Sequence, residues 1–116
     1  MVLRKKILIG GYQGADSIHT ISMKRFNNEI RENFMVDFTM DITNNNEKAS
    51  SLIEKTQKQE IHISYLLSSY FEKILPEIKI LDLPYLFKNR NEAYNSLNSE
   101  FFNYINDQLI DQNIRL

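Results

Sequence analysis

Five residues, Gly10-Gly11-Tyr12-Gln13-Gly14, hold the clearest chemical possibility in this chain. They follow an aliphatic run, Ile7-Leu8-Ile9, and precede a helical pattern. A turn in that place, at the carboxyl end of a strand, is where parallel α/β sheets bind ligands. The helix N-terminus that follows offers free N–H groups to an anion such as a carboxylate. The turn is neither a P-loop, since no Gly-Lys-Ser/Thr follows, nor a G-x-G-x-x-G fingerprint. Its plainest reading is a permissive turn whose glycines allow positive φ.

The other reactive side chains form no recognisable set. His19 falls in the first turn of a helix, and His62 alternates with Ile61 and Ile63 in a strand. No Glu-x-x-His or His-x-x-x-His spacing joins them into a metal site, so both read as partly exposed histidines. Asp37 and Asp41 could be imagined as paired carboxylates, but their spacing along a strand holds them apart, and turn or surface roles suit them better. Ser68 and Ser69 have neither a histidine base nor a Gly-x-Ser-x-Gly elbow. A hydrogen-bonding loop at a strand end suits them. Phe101, Phe102 and Tyr104, at helical spacing, read as core and rim rather than as a platform for stacking bases.

The elements that must position these residues can be read from periodicity. Ile7–Gly10 reads as a buried strand. Asp16 or Ser17 can cap a helix that ends near Asn33, with Ile18, Ile21, Phe26 and Ile30 as its apolar face. The alternation of residues 35–40 predicts a second strand. Ala49, Leu52 and Ile53 lie in a short helix that reaches about Lys58. Residues 61–65 alternate as a third strand, and a loop or short helix covers Ser68–Leu75. Ile78–Leu81 reads as extended, running into Leu83-Pro84. Ala93, Tyr94 and Leu97 share one helical face, and Phe101, Ile105 and Leu109 another, with a break at Asn98-Ser99 and Ser99 as the second cap. Ile114–Leu116 reads as the start of a further strand. Strands alternating with helices imply a parallel, doubly wound α/β sheet flanked by helices.

The composition narrows the function classes. The 116 residues make one domain at most. Fourteen basic and fifteen acidic residues leave a formal net charge of −1, and they are well mixed. A nucleic-acid binder would show a basic excess. The absence of cysteine excludes disulfides, thiolate metal sites and thiol nucleophiles. No apolar stretch approaches the roughly 20 residues that span a bilayer. Ile7–Ile9 is too short for the apolar region of a signal peptide, about 7 residues or more. Either the protein is cytosolic, or a short start has replaced its natural leader.

The segment Pro76-Glu-Ile-Lys-Ile-Leu-Asp-Leu-Pro-Tyr-Leu-Phe87 resembles the Leu-Asp-Leu-Pro-Phe/Tyr-Leu-Phe motif of the DctP-type solute-binding proteins. These are the extracytoplasmic receptors of TRAP transporters. Ile7–Gly10 with the helix containing Phe26 looks like the family's opening. Leu52-Ile53 through Ile61-His-Ile-Ser64 is similar to its Gly-x-(Ile/Leu)-Asp region, and Asn91-Glu-Ala-Tyr94 through Leu97 to the helix after the motif. There are departures. Lys58 or Gln59 stands for the glycine and His62 for the aspartate, and the glycine that opens the second strand is absent near Phe34.

The resemblance implies the first lobe of a periplasmic-binding-protein-like (class II) fold, with residues 1–116 forming a single α/β domain, an incomplete N-terminal lobe of a two-lobed receptor. It implies a periplasmic protein that catalyses nothing, binds an organic acid such as a dicarboxylate between two lobes, closes about a hinge and docks on TRAP permease subunits. No cofactor, metal or nucleic acid is implied. By position, ligand contacts would come from Tyr12 and Gln13 after the first strand and from Ser68, Ser69 and Tyr70, beside Leu67, after the third. The family's carboxylate-clamping arginine lies on the second lobe, and neither Arg90 nor Arg115 matches it. Pro84–Phe87 would pack near the hinge or form a rigid turn. A lone lobe should bind ligand weakly and self-associate through its open face. Two alternatives stand beside this reading: a ligand-sensing module of a signalling receptor, and a small flavodoxin-like α/β enzyme.

Overall fold

The computed structural model describes residues 3–116. They form two compact units, one reaching to Leu66 and one spanning Leu67–Leu116.

The first unit is a three-stranded parallel sheet in the order β2-β1-β3. β1 spans Lys5–Gly10, β2 Phe34–Thr39 and β3 Ile63–Ser64. β1 runs in register with β2 from Lys5↔Phe34 to Gly10↔Thr39. Its other edge meets β3 at Ile9↔Ile63 and Gly10↔Ser64. Helix α1 (Ile18–Ile30) connects β1 to β2, and α2 (Ser51–Gln57) lies between β2 and β3. One connection moves outward on one side of β1 and the next crosses back to the other. With right-handed crossovers, the two helices cover opposite faces of the sheet. This is the expected parallel α/β architecture.

β3 is shorter than the alternation of residues 61–65 predicts, and His62 supplies the reason. Its backbone N–H donates to the Leu8 carbonyl over 2.8 Å, while Leu8 N–H donates over 2.9 Å to the imidazole Nδ1. A side chain therefore takes the place of the carbonyl that would extend the ladder, a local competition between side chain and backbone.

Helix α1 begins where Ser17 caps it, its hydroxyl accepting from the amides of His19 and Thr20. Its burial differs from the periodic expectation. Ile18 is 74% exposed, and Ile21 and Phe26 are exposed as well. The fully buried side chain of this helix is Thr20. Its hydroxyl donates to the Gln13 carbonyl over 3.0 Å, so the helix is anchored to the preceding loop by a polar contact. The buried apolar residues of the unit are Ile9, Ile42 and Leu52. Burying side chains of this size contributes roughly 1.5–3 kcal/mol each.

The second unit is helical. Two short 3₁₀ segments cover Ser68–Phe71 and Pro76–Asp82. The second corrects the extended reading of Ile78–Leu81. Pro76 opens it in the first turn, where a missing N–H costs nothing. Ile78 is buried and Leu81 half-buried, three residues apart, which matches the three-residue turn of a 3₁₀ helix. Helix α3 (Arg90–Ser96) is capped by Asn89, whose side chain accepts from Glu92 N over 2.9 Å. Helix α4 (Glu100–Ile110) is capped by Ser99, as the spacing predicts. Phe71, Leu75, Ile78, Ile105, Leu109 and Ile114 are buried. Residues 114–116 form no strand. Ile114 N bonds back to Leu109 O over 3.0 Å, and Leu116 N donates to the Asn106 side chain over 2.8 Å, so both amides serve the end of α4.

Candidate functional site

The carboxyl end of β1 is built around a close approach. Gly11 N donates to Thr39 O over 2.9 Å, and Ile42 N donates to Gly11 O over 3.0 Å. A Cβ on Gly11 would lie 2.6 Å from the Met40 carbonyl oxygen and 2.9 Å from the Tyr65 ring. None of the glycines has positive φ, which corrects the sequence reading. Gly11 is needed for its missing side chain, which lets the loop after β2 and the ring after β3 crowd the strand end.

Beyond Gly11 the loop presents Tyr12 and Gln13, both half-buried. The Ser17 hydroxyl donates to Gln13 Oε1. With that oxygen engaged, the remaining hydrogen-bonding groups of the Gln13 side-chain amide are donors. Tyr65, just past β3, lies 5.3 Å from Tyr12 between ring centroids and stacks on His19 at 5.1 Å with a 27° interplanar angle. Its hydroxyl meets Thr20 Oγ1 at 3.4 Å. Sequence reasoning missed Tyr65 and gave His19 no partner. The only signal for the cluster was that three ring-bearing residues fall just past strand ends or at a helix start.

In the second unit Ser68 donates its hydroxyl to Asp82 Oδ1 over 2.6 Å. That bond joins the loop of Ser68, Ser69 and Tyr70 to the Leu81-Asp-Leu-Pro84 motif. Ser69 is exposed, and Ser68 and Tyr70 are half-buried. Next to Pro84, Tyr85 sits in a turn, 99% exposed with φ 61°. Ile80, Leu81, Leu86, Phe87, Phe101 and Phe102 line an apolar recess of about 210 Å³.

A second recess, of about 230 Å³, lies in the first unit. Asp37, Glu47 and Glu60 face it with Lys55, which pairs with Glu47 at 3.1 Å. Three carboxylates against one ammonium disfavour an anion there. Asp37 pairs with Lys6 at 3.7 Å, and Asp41 accepts from Thr43 N over 2.9 Å, which are surface and turn roles. Among the described residues, no group of three histidines and carboxylates gathers to hold a metal, and no helix is long and apolar enough to cross a membrane.

Residues 9–116 match the family model DctP, described as bacterial extracellular solute-binding protein, family 7. The chain belongs to this family. Two solved structures share its fold. One is a TRAP periplasmic solute-binding protein from Ochrobactrum anthropi, with its C-terminus bound in the ligand-binding pocket: TM-score 0.80 and 14% identity, covering 94% of this chain and 35% of that one. The other, from Polaromonas sp. JS666, is bound to D-erythronate: TM-score 0.68 and 17% identity, covering 94% of this chain and 37% of that one. The present chain thus spans a little over a third of each. No curated protein matches it. The family and both neighbours are solute-binding proteins, and the neighbours are periplasmic. The resemblance read from the Leu81–Phe87 motif is therefore confirmed at the level of family and fold.

Proposed function

We propose that this chain supplies ligand contacts in an extracytoplasmic TRAP-type receptor that binds an organic acid and hands it to a membrane permease. The observation that carries the reading is the family match over residues 9–116, and the loop at the carboxyl end of β1, where Ser17 engages Gln13 Oε1, is consistent with it. Tyr12 and Gln13 on one loop, and Ser68, Ser69 and Tyr70 on another, provide this chain's hydrogen bonds and packing surface for the acid. Ser68, held by Asp82, sets the shape of its loop. The receptor works in the periplasm and performs no catalysis. Residues outside this chain supply the cation that a bound carboxylate requires, and closure about a hinge presents the loaded form to the permease. The exposed Ile18, Ile21 and Phe26 support self-association of the isolated chain.

Thermal denaturation of the natural protein against a panel of small carboxylic acids, amines and neutral sugars tests this. A ligand that binds only the folded state raises the midpoint by mass action. Acids should raise it, and amines and neutral sugars should not. A panel in which no acid shifts the midpoint overturns the receptor reading.

A further inference from the structure

Apart from the side-chain amide donors of Gln13, which would meet the carboxylate, Ser17, Thr20 and Asp41 at the carboxyl end of the first sheet are engaged with neighbouring groups. Ser17 donates to Gln13 Oε1 and accepts from two helix amides. Thr20 donates to the Gln13 carbonyl and meets the Tyr65 hydroxyl. Asp41 accepts from both the amide and the hydroxyl of Thr43. Three rings stand beside them, with Tyr65 touching Tyr12 and His19. A polyhydroxy acid brings hydroxyl groups that lose water on binding and need partners here, and each one left unpaired costs affinity. A flat unsaturated body needs no such partners and extends the ring contacts.

We infer that Tyr65, set by Thr20 and backed by Tyr12 and His19, selects an aromatic or otherwise planar carboxylic acid over a polyhydroxy acid. The inference rests on the receptor reading and names the ligand class of that same site. The geometry fixes where Tyr65 stands. Gly11 gives its ring room, since a Cβ there would lie 2.9 Å from it, and buried Thr20 holds its hydroxyl. The Tyr65 ring is thus held from two sides before any ligand arrives, and a preorganised wall loses little freedom on binding.

The experiment is calorimetric titration of the natural full-length protein with phenylacetate and with D-erythronate, repeated on Tyr65→Leu, Tyr65→Phe and His19→Ala. The wild type should bind phenylacetate more tightly. Tyr65→Leu should weaken phenylacetate by roughly three- to tenfold and leave D-erythronate nearly unchanged. Tyr65→Phe keeps the ring and should retain most of the preference. His19→Ala, at an exposed helix position, should reduce it without disturbing the fold. Equal or tighter binding of D-erythronate by the wild type overturns the inference and leaves the receptor reading intact. So do Tyr65→Leu and His19→Ala variants whose selectivity matches the wild type. Failure of both acids and of every other acid tried removes the receptor reading and the inference with it.

Discussion

The Ser68 hydroxyl donates to the Asp82 carboxylate over 2.6 Å, tying the first 3₁₀ segment of the second unit to the last residue of the next. The Leu-Asp-Leu-Pro motif thereby acquires a physical role, since its aspartate shapes a loop fourteen residues earlier. The bond lies at the surface, so its contribution is modest. Ser68→Ala should lower stability by about 1 kcal/mol, and Asp82→Asn by a similar amount. A double-mutant cycle from urea melts should show the two losses overlapping. Fully additive losses would mean that the pair does not interact.

Gly11→Ala places a methyl group against the Met40 carbonyl oxygen, which is backbone and cannot step aside. The substitution should destabilise by about 1–3 kcal/mol. Gly14 has nothing within 4 Å of its would-be Cβ and no positive φ, so Gly14→Ala should stay within about 0.5 kcal/mol of the wild type. Denaturant midpoints of the two variants decide the matter, and equal midpoints would contradict the close approach.

Leu52 is wholly buried and lies 3.0 Å from the Cβ position of Gly10. Leu52→Ala leaves a cavity beside the central strand and should cost about 2–5 kcal/mol. Ile21→Ala, at an exposed position on α1, should cost far less, although Ile21 too is an aliphatic residue on the apolar face that helical spacing predicts. Guanidinium unfolding of both variants is the check.

Tyr85 holds a left-handed backbone with φ 61° while its side chain meets only solvent. A non-glycine residue there carries strain of order 1 kcal/mol. Tyr85→Gly should therefore leave the thermal midpoint unchanged or raise it, although it deletes a large aromatic group. A clear drop would show that the ring makes contacts that stabilise the fold.

Glu54 and Lys58 pair at 2.7 Å on the end of α2. The hydrogen bond from Lys58, and then its charge, hold the Glu54 carboxyl below its ordinary value, while the same pairing raises Lys58. A lowered carboxylate pKa gives stability that is present above the ordinary glutamate range and lost as pH falls through the lowered folded value. The raised lysine gives stability that is complete below the ordinary lysine value and lost as pH rises through the folded one. Both groups are exposed, so the effect is small and screened by salt. An NMR titration should find the Glu54 midpoint depressed, and Lys58→Met should return it toward the ordinary value.

The three strands of the sheet, the helices and the two serine caps were legible because each depends on its immediate neighbours. Ser17 and Ser99 stand directly before apolar periodicity, and β2 alternates half-buried Phe34, Val36 and Phe38 with exposed Met35, Asp37 and Thr39. What escaped depends on distant partners. Ile18, Ile21 and Phe26 keep a helical spacing, yet Thr20 is the buried residue, because Gln13 and Tyr65 come to meet it. Ile78–Leu81 carries β-branched residues, but Pro76 starts a 3₁₀ turn that outweighs that preference. The ring cluster joins residues up to 53 positions apart in the chain, Tyr12 and Tyr65, and no local pattern announces such a meeting.

The central strand of the sheet is the first to be made. β1 carries parallel partners on both edges, at residues 34–39 and 63–64, so a chain growing on the ribosome holds Ile7-Leu8-Ile9 without a neighbour until the second strand emerges. It then keeps one bare edge until Ser64 follows. Parallel pairing imposes this wait, since each connection must cross over before a strand can dock. During that interval the apolar segment stands open to any factor that binds unfolded chains.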